Sequence, residues 1–165
     1  MAQISDPQQL FTHKLGAALT MEQTVVEMLK TNEQTAQDDS IKQQFAHHRQ
    51  ETEGQIRNLE QAFSALGQQP KTQPCPTIDG LKTEAEQMIE QTDGGLVDAV
   101  LLGGAAETEH HEIAVYEGLI TKAEAMGQED VVALLQENLE QEQHTLQEVQ
   151  QASRQLAQQL AGQAA

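Results

Sequence analysis

The sequence predicts an all-α domain built as a bundle of four long helices, and three observations carry that prediction. Gln, Glu, Ala and Leu dominate and are good helix formers, whereas the aromatics are three Phe and one Tyr, with no Trp. Val and Ile recur at spacings of three and four and not in the alternating runs of a half-buried strand. Start and stop signals divide the chain into long stretches of about 25 to 32 residues each, too long for a globin-like arrangement and suited to an extended bundle. The 165 residues are read as one domain, 1–165, with one core.

The first helix is expected over about 6–32. Asp6 is a strong N-cap, Pro7 suits the first helical position and Gln9 can close a capping box. Its apolar stripe runs Leu10/Phe11, Leu15, Ala18/Leu19, Met21, Val25/Val26 and Leu29. A second start signal, Asp38–Asp39–Ser40, opens a helix over 39–66 carrying Ile41, Phe45, His48, Thr52, Gln55, Leu59 and Ala62/Phe63. Gly67 supplies its stop, and Pro70, Pro74 and Pro76 forbid continuation, so 68–76 reads as a loop. A short helix is expected over 78–92, ending at Asp93–Gly94–Gly95. The third long helix spans 96–126 up to Gly127, and the fourth 129–160, with Val131, Leu135, Asn138/Leu139, Glu142, Thr145/Leu146 and Val149 in phase. Gly103–Gly104 reads as a place where helices approach closely.

Short turns pair helices one with two and three with four as antiparallel hairpins. The loop and short helix between the hairpins are long enough to cross the bundle. Two hairpins joined by one long crossover, here holding a short fifth helix, is the ferritin-like topology.

Nine basic against 26 acidic residues give a net charge of −17, which argues against nucleic acid and anionic membrane surfaces as natural partners. Such a surface attracts cations. The single cysteine, Cys75, allows no intrachain disulfide and fits a reducing compartment. The start MAQISDPQQLF has neither a basic n-region nor a long apolar h-region, and runs such as AVLLGGAA fall short of the roughly 18 to 20 residues a bilayer span needs. A cytoplasmic protein is expected.

Each long helix also sets an acid in or beside its apolar stripe. Glu22 lies among Ala18, Leu19, Val25 and Val26; His48 and Glu51, three apart, share a face; Glu109 and Glu112 do the same; Glu142 follows Leu139 by three and precedes Leu146 by four. One inward acid can pair or reach solvent, but none of Arg49, Arg57 and Arg154 is in phase with a core. Several unpaired buried carboxylates, each costing several kcal/mol, would threaten a domain stable by only about 5 to 15 kcal/mol. Two divalent cations resolve the conflict, and Glu and His from facing helices build the di-iron or di-manganese site of such bundles. The usual Glu-x-x-His pairs are altered here to His48-x-x-Glu51 and Glu109-x-x-Glu112, with Thr145 in place of a His after Glu142. Glu22, His48, Glu51, Glu109, Glu112 and Glu142 are therefore the candidate ligands. Gln55, His110, Tyr116 and His144 are candidates for bonds behind them. For His48 and Tyr116 plain core packing is the competing reading, and His111 reads as a surface residue.

The segments LFTHKLGAALTMEQ, FAHHRQETEGQIRNLEQAFSALG, AETEHHEIAVYEGL and LLQENLEQEQHTLQEV together resemble the YciF-like (YciE/YciF) bacterial proteins, which are ferritin-like stress-response proteins. The likeness covers about residues 9 to 155, most specifically in ETEGQI and EHHEIAVYE. It implies a ferritin-like bundle, a homodimer, and the carboxylate and histidine pattern at the six candidate ligands. His111, Gln55, Gln143 and Leu146 depart from residues common in that family, respectively Tyr, His, Lys and Asp.

Two functions follow as expectations. The first is a dinuclear iron or manganese protein of the stress response, with oxidase, peroxidase-like or iron-handling chemistry on a small oxidant, O₂ or peroxide. The alternative is a non-catalytic bundle that dimerises or binds a partner and keeps a vestigial metal site.

Overall fold

The computed structural model describes residues 3–163. Five α-helices account for nearly all of them: α1 (Pro7–Thr35), α2 (Asp39–Ala65), α3 (Pro76–Gln91), α4 (Val97–Ala125) and α5 (Glu129–Gln163), with a 3₁₀ turn at Gly94–Leu96. No strand occurs among the described residues. Helices α1 and α2 form one hairpin and α4 and α5 the other; α2 packs on α5 and α1 on α4, closing a four-helix ring. Helix α3, part of the long crossover, lies outside against α4 and α1. The architecture is the expected ferritin-like bundle.

Local chemistry explains the ends. The Asp6 side chain accepts the Gln9 N–H at 2.8 Å, while the Gln9 side chain turns to the Ser5 N–H at 3.2 Å instead of closing on Asp6. Asp38 caps α2 through the N–H groups of Ser40 and Ile41. The stops after α2 and α4 are left-handed glycines, Gly67 (φ 70°) and Gly127 (φ 67°). Each is followed by a residue whose N–H returns to a carbonyl five positions back, Gln68 to Phe63 and Gln128 to Ala123.

Several boundaries differ from expectation. Helix α1 continues to Thr35, where its last turn is closed by the Ala36 N–H on the Asn32 carbonyl and by the buried Ala36 side chain. Helix α3 begins at Pro76, two residues early, since proline needs no N–H in a first turn. Cys75 is thereby the N-cap of α3. The Gly94–Gly95 pair folds into the 3₁₀ turn before α4, and α5 runs past Leu160 to Gln163. A Cβ added at Gly104 would lie 3.9 Å from that of Ala85, an ordinary contact, while one at Gly103 would face open space. The close approach falls at Gly16 instead. A Cβ there would lie 2.4 Å from the Lys71 carbonyl, and the Gln73 N–H donates to the Gly16 carbonyl at 3.1 Å, which seats the crossover loop on α1.

The antiparallel order divides the interior into three slabs. Leu29, Ile41, Phe45, Leu101, Leu102 and Val149 fill the end beside the α1–α2 turn; Phe11, Leu15, Leu59, Phe63, Leu119, Ala123 and Leu135 fill the other. Between them lies a slab of buried polar side chains.

Candidate metal centre

The middle slab takes one short stretch from each bundle helix. Glu22 comes from α1, His48 from α2, Glu109 and Glu112 from α4 and Glu142 from α5; the four acids have 0% exposure and His48 3%. The i, i+3 spacing of Glu109 and Glu112 puts both on the inner face of α4. One oxygen each from Glu22, Glu112 and Glu142 lie within 4.8 Å of one another, and so do a nitrogen of His48 and oxygens of Glu109 and Glu142. His48 Nε2 stands 3.3 Å from Glu109 Oε1 and 3.6 Å from Glu142 Oε2. Glu142 belongs to both groups, so the arrangement reads as two adjoining three-ligand sets with a shared carboxylate.

These groups lack other partners. Of the eight carboxylate oxygens on the four buried acids, only Glu22 Oε1 accepts a hydrogen bond; the other seven, and both His48 nitrogens, have none. Burial and mutual repulsion act accordingly. Glu22 is pushed up from 4.5 to about 8, first by burial and then by the Glu142 charge, with the Tyr116 hydrogen bond opposing. Glu109 and Glu112 are raised well above the usual carboxylate range by burial and then by Glu142. Orphaned acids packed together in this way require either protons or cations. Seven unpartnered carboxylate oxygens with one imidazole form a hard donor set of the kind that suits iron or manganese.

The remaining candidates divide. Tyr116 is fully buried, and its hydroxyl donates to Glu22 Oε1. Gln55 is buried with both side-chain amide atoms unpartnered beside the cluster's helix face. Glu51 is only half-buried, its Oε1 3.5 Å from the exposed His47 Nε2, and it joins neither three-ligand set; its charge nevertheless reaches Glu109. His110 is exposed on the outer face of α4. His144 is exposed too, with Nδ1 3.9 Å from Glu148, because it follows Glu142 by two and therefore points to the opposite side of α5. Neither of these imidazoles reaches the buried cluster. His111 is half-buried and its Nε2 is without a partner; it shares a small cavity with His13 and Cys75, three residues far apart in sequence.

Two residues outside the candidate set extend the site. Asn138, with 0% exposure, donates to the Gln55 carbonyl at 3.2 Å and to the Tyr116 hydroxyl at 3.0 Å. Half-buried Asn58 donates to Asn138 Oδ1 at 2.8 Å. An asparagine in phase with an apolar stripe, one turn before Glu142, was the signal that pointed there.

Comparison with known proteins agrees with this architecture. Residues 6–162 match the family described as Domain of unknown function (DUF892). Protein YciF of Escherichia coli (strain K12) is 34% identical over 140 residues, covering 84% of each chain. The crystal structure of the E. coli stress protein YciF superposes with a TM-score of 0.89 at 29% identity, covering 94% of this chain and 99% of that one. The protein YcfI from Rhodopseudomonas palustris gives 0.87 at 34% identity, covering 90% and 95% respectively.

Proposed function

This chain belongs to the DUF892 family, and on that premise we propose that it is a ferritin-like stress-response protein holding two iron or manganese ions. The observation that carries the reading is the pair of buried three-ligand sets meeting at Glu142. Glu22 and Glu112 would hold one ion, His48 and Glu109 the other, and Glu142 would bridge. Bound iron or manganese supplies redox chemistry toward a small oxidant, O₂ or peroxide. The chain's own residues do the rest. The apolar slabs on either side exclude water, the four helices fix the donors before any ion arrives, and the carboxyls release their protons as cations enter. A cytoplasmic setting, reducing and supplied with divalent metal, would also keep Cys75 a free thiol.

Metal content measured on untagged protein from iron- and manganese-supplemented cells tests the reading. About two ions per chain are expected for the parent, and loss of both in Glu142→Ala, as the shared ligand implies. A chain that neither copurifies with nor rebinds metal sinks it.

One observation favours the homodimer as well. Met88 on α3 (43% exposed) lies with half-buried Leu81 and Val100 along a groove between α3 and α4, and exposed Leu96 (49%) stands just before α4. A second copy is the proposed cover. Sedimentation should show a dimer for the parent and a monomer for Met88→Glu combined with Leu96→Glu. No helix among the described residues is long and apolar enough to cross a membrane.

A further inference from the structure

We infer that Asn58, Asn138 and Tyr116 form a directed hydrogen-bond relay that positions Glu22, reserving one of its oxygens and leaving the other for an ion. The relay takes one residue from each bundle helix, Asn58 on α2, Asn138 on α5, Tyr116 on α4 and Glu22 on α1. Its direction follows from what each group can do. The Gln55 backbone carbonyl only accepts, so the end of Asn138 facing it, at 3.2 Å, is the amide nitrogen. That same nitrogen faces the Tyr116 hydroxyl at 3.0 Å and spends its second N–H there. The opposite end of Asn138 is then the oxygen, which accepts from the Asn58 amide at 2.8 Å. A phenol has one proton. With its oxygen accepting from Asn138, Tyr116 donates that proton to Glu22 Oε1.

The consequence for the proposed centre, on whose existence this inference rests in part, is an inequivalence of its halves. Glu22 Oε1 accepts from Tyr116 and Oε2 has no partner, so Oε2 would be the oxygen Glu22 offers to an ion, with the carboxyl held in place by Tyr116. No phenol or amide donor holds Glu109; the group beside it is His48 Nε2, 3.3 Å from Oε1 and itself a candidate ligand. Asn138 and Asn58 are thus positioning residues for the Glu22 side alone.

Titration of the metal-free full chain with Co(II), followed by absorption and calorimetry, separates the two ions. Asn138→Leu is expected to weaken one ion about 10- to 100-fold, the usual effect of losing a bond behind a ligand, and to spare the other. Tyr116→Phe, which removes only the hydroxyl, should weaken the same ion, and the double variant should match the worse single within about twofold, because the residues act in series. Equal weakening of both ions, multiplied losses in the double variant, or parental affinity in Asn138→Leu would overturn the relay. Asn138→Ser replaces Asn138→Leu should the latter not fold.

A parent chain that binds no Co(II) would defeat the metal reading, and the relay is then decided without metal. With one Tyr and no Trp, the ultraviolet emission of the chain is that of Tyr116. Hydrogen bonding to a carboxyl group quenches a phenol, so Glu22→Gln, which removes the carboxyl, should brighten the metal-free chain. Asn138→Leu should brighten it too, because a hydroxyl no longer held by Asn138 is free to turn from Glu22 Oε1. Unchanged emission in Asn138→Leu overturns the relay.

Discussion

The slab that holds Phe11, Leu59, Phe63 and Leu135 and the slab that holds Glu22, His48, Glu109, Glu112 and Glu142 are equally buried, and their energetics are opposed. In the first, every side chain gains by leaving water, and the helices stay together because of it. In the second, four carboxyls have left water with one hydrogen bond among eight oxygens. The same backbone therefore carries a stabilising layer and a destabilising one.

The largest effect should come from the apolar side. Phe63→Ala is expected to cost about 3 to 5 kcal/mol in denaturant unfolding, through lost burial and a cavity, while leaving metal stoichiometry intact. A mutation of opposite sign sharpens the contrast. In the metal-free chain Glu142→Leu should raise stability by about 1 to 4 kcal/mol, since a partnerless acid gives way to an apolar group of similar size, and the same variant should bind neither ion. If Glu142→Leu destabilises the metal-free chain as Phe63→Ala does, the distinction between the slabs collapses.

Acidity offers a smaller, reversible lever. The Glu22 carboxyl rises from 4.5 in a free chain to about 8 in the fold, so the fold prefers its protonated form. That contribution is complete below 4.5 and is lost as the pH climbs through about 8. Melting temperatures of the metal-free chain should fall across this window, and Glu22→Gln should flatten the fall; an unchanged slope would show that other groups govern it. Smallest of all, His110→Ala and His144→Ala should each stay within about 0.5 kcal/mol of the parent and retain both ions, as surface changes do.

Much of this was legible in the chain. Helical phase was enough to turn Glu22, His48, Glu109, Glu112 and Glu142 inward, because each sits three or four residues from core positions on its own helix. Phase was too coarse for Glu51, which lies at the edge of its stripe and is drawn outward to His47. It also could not show Asn58 meeting Asn138, since that contact joins positions 80 apart on different helices. The crossover hid its own details for a similar reason. Gly16 is a helix-interior glycine whose purpose appears only once the Lys71 carbonyl lies against it.

The carboxylate of Asp98, at the start of α4, accepts the N–H groups of Gln37 and Asp38 at 2.8 and 2.9 Å, and so joins the α1–α2 turn to a point some 60 residues later in the chain. Closing so long a loop is entropically slower than zipping either hairpin from its own turn. The latch is therefore expected to close in the last stage of assembly, after the transition state for folding. Its removal should act on how long the native bundle survives and not on how quickly it forms. In stopped-flow measurements Asp98→Ala is expected to speed unfolding and leave the refolding rate where it was, which makes this one side chain a setting for the lifetime of the fold.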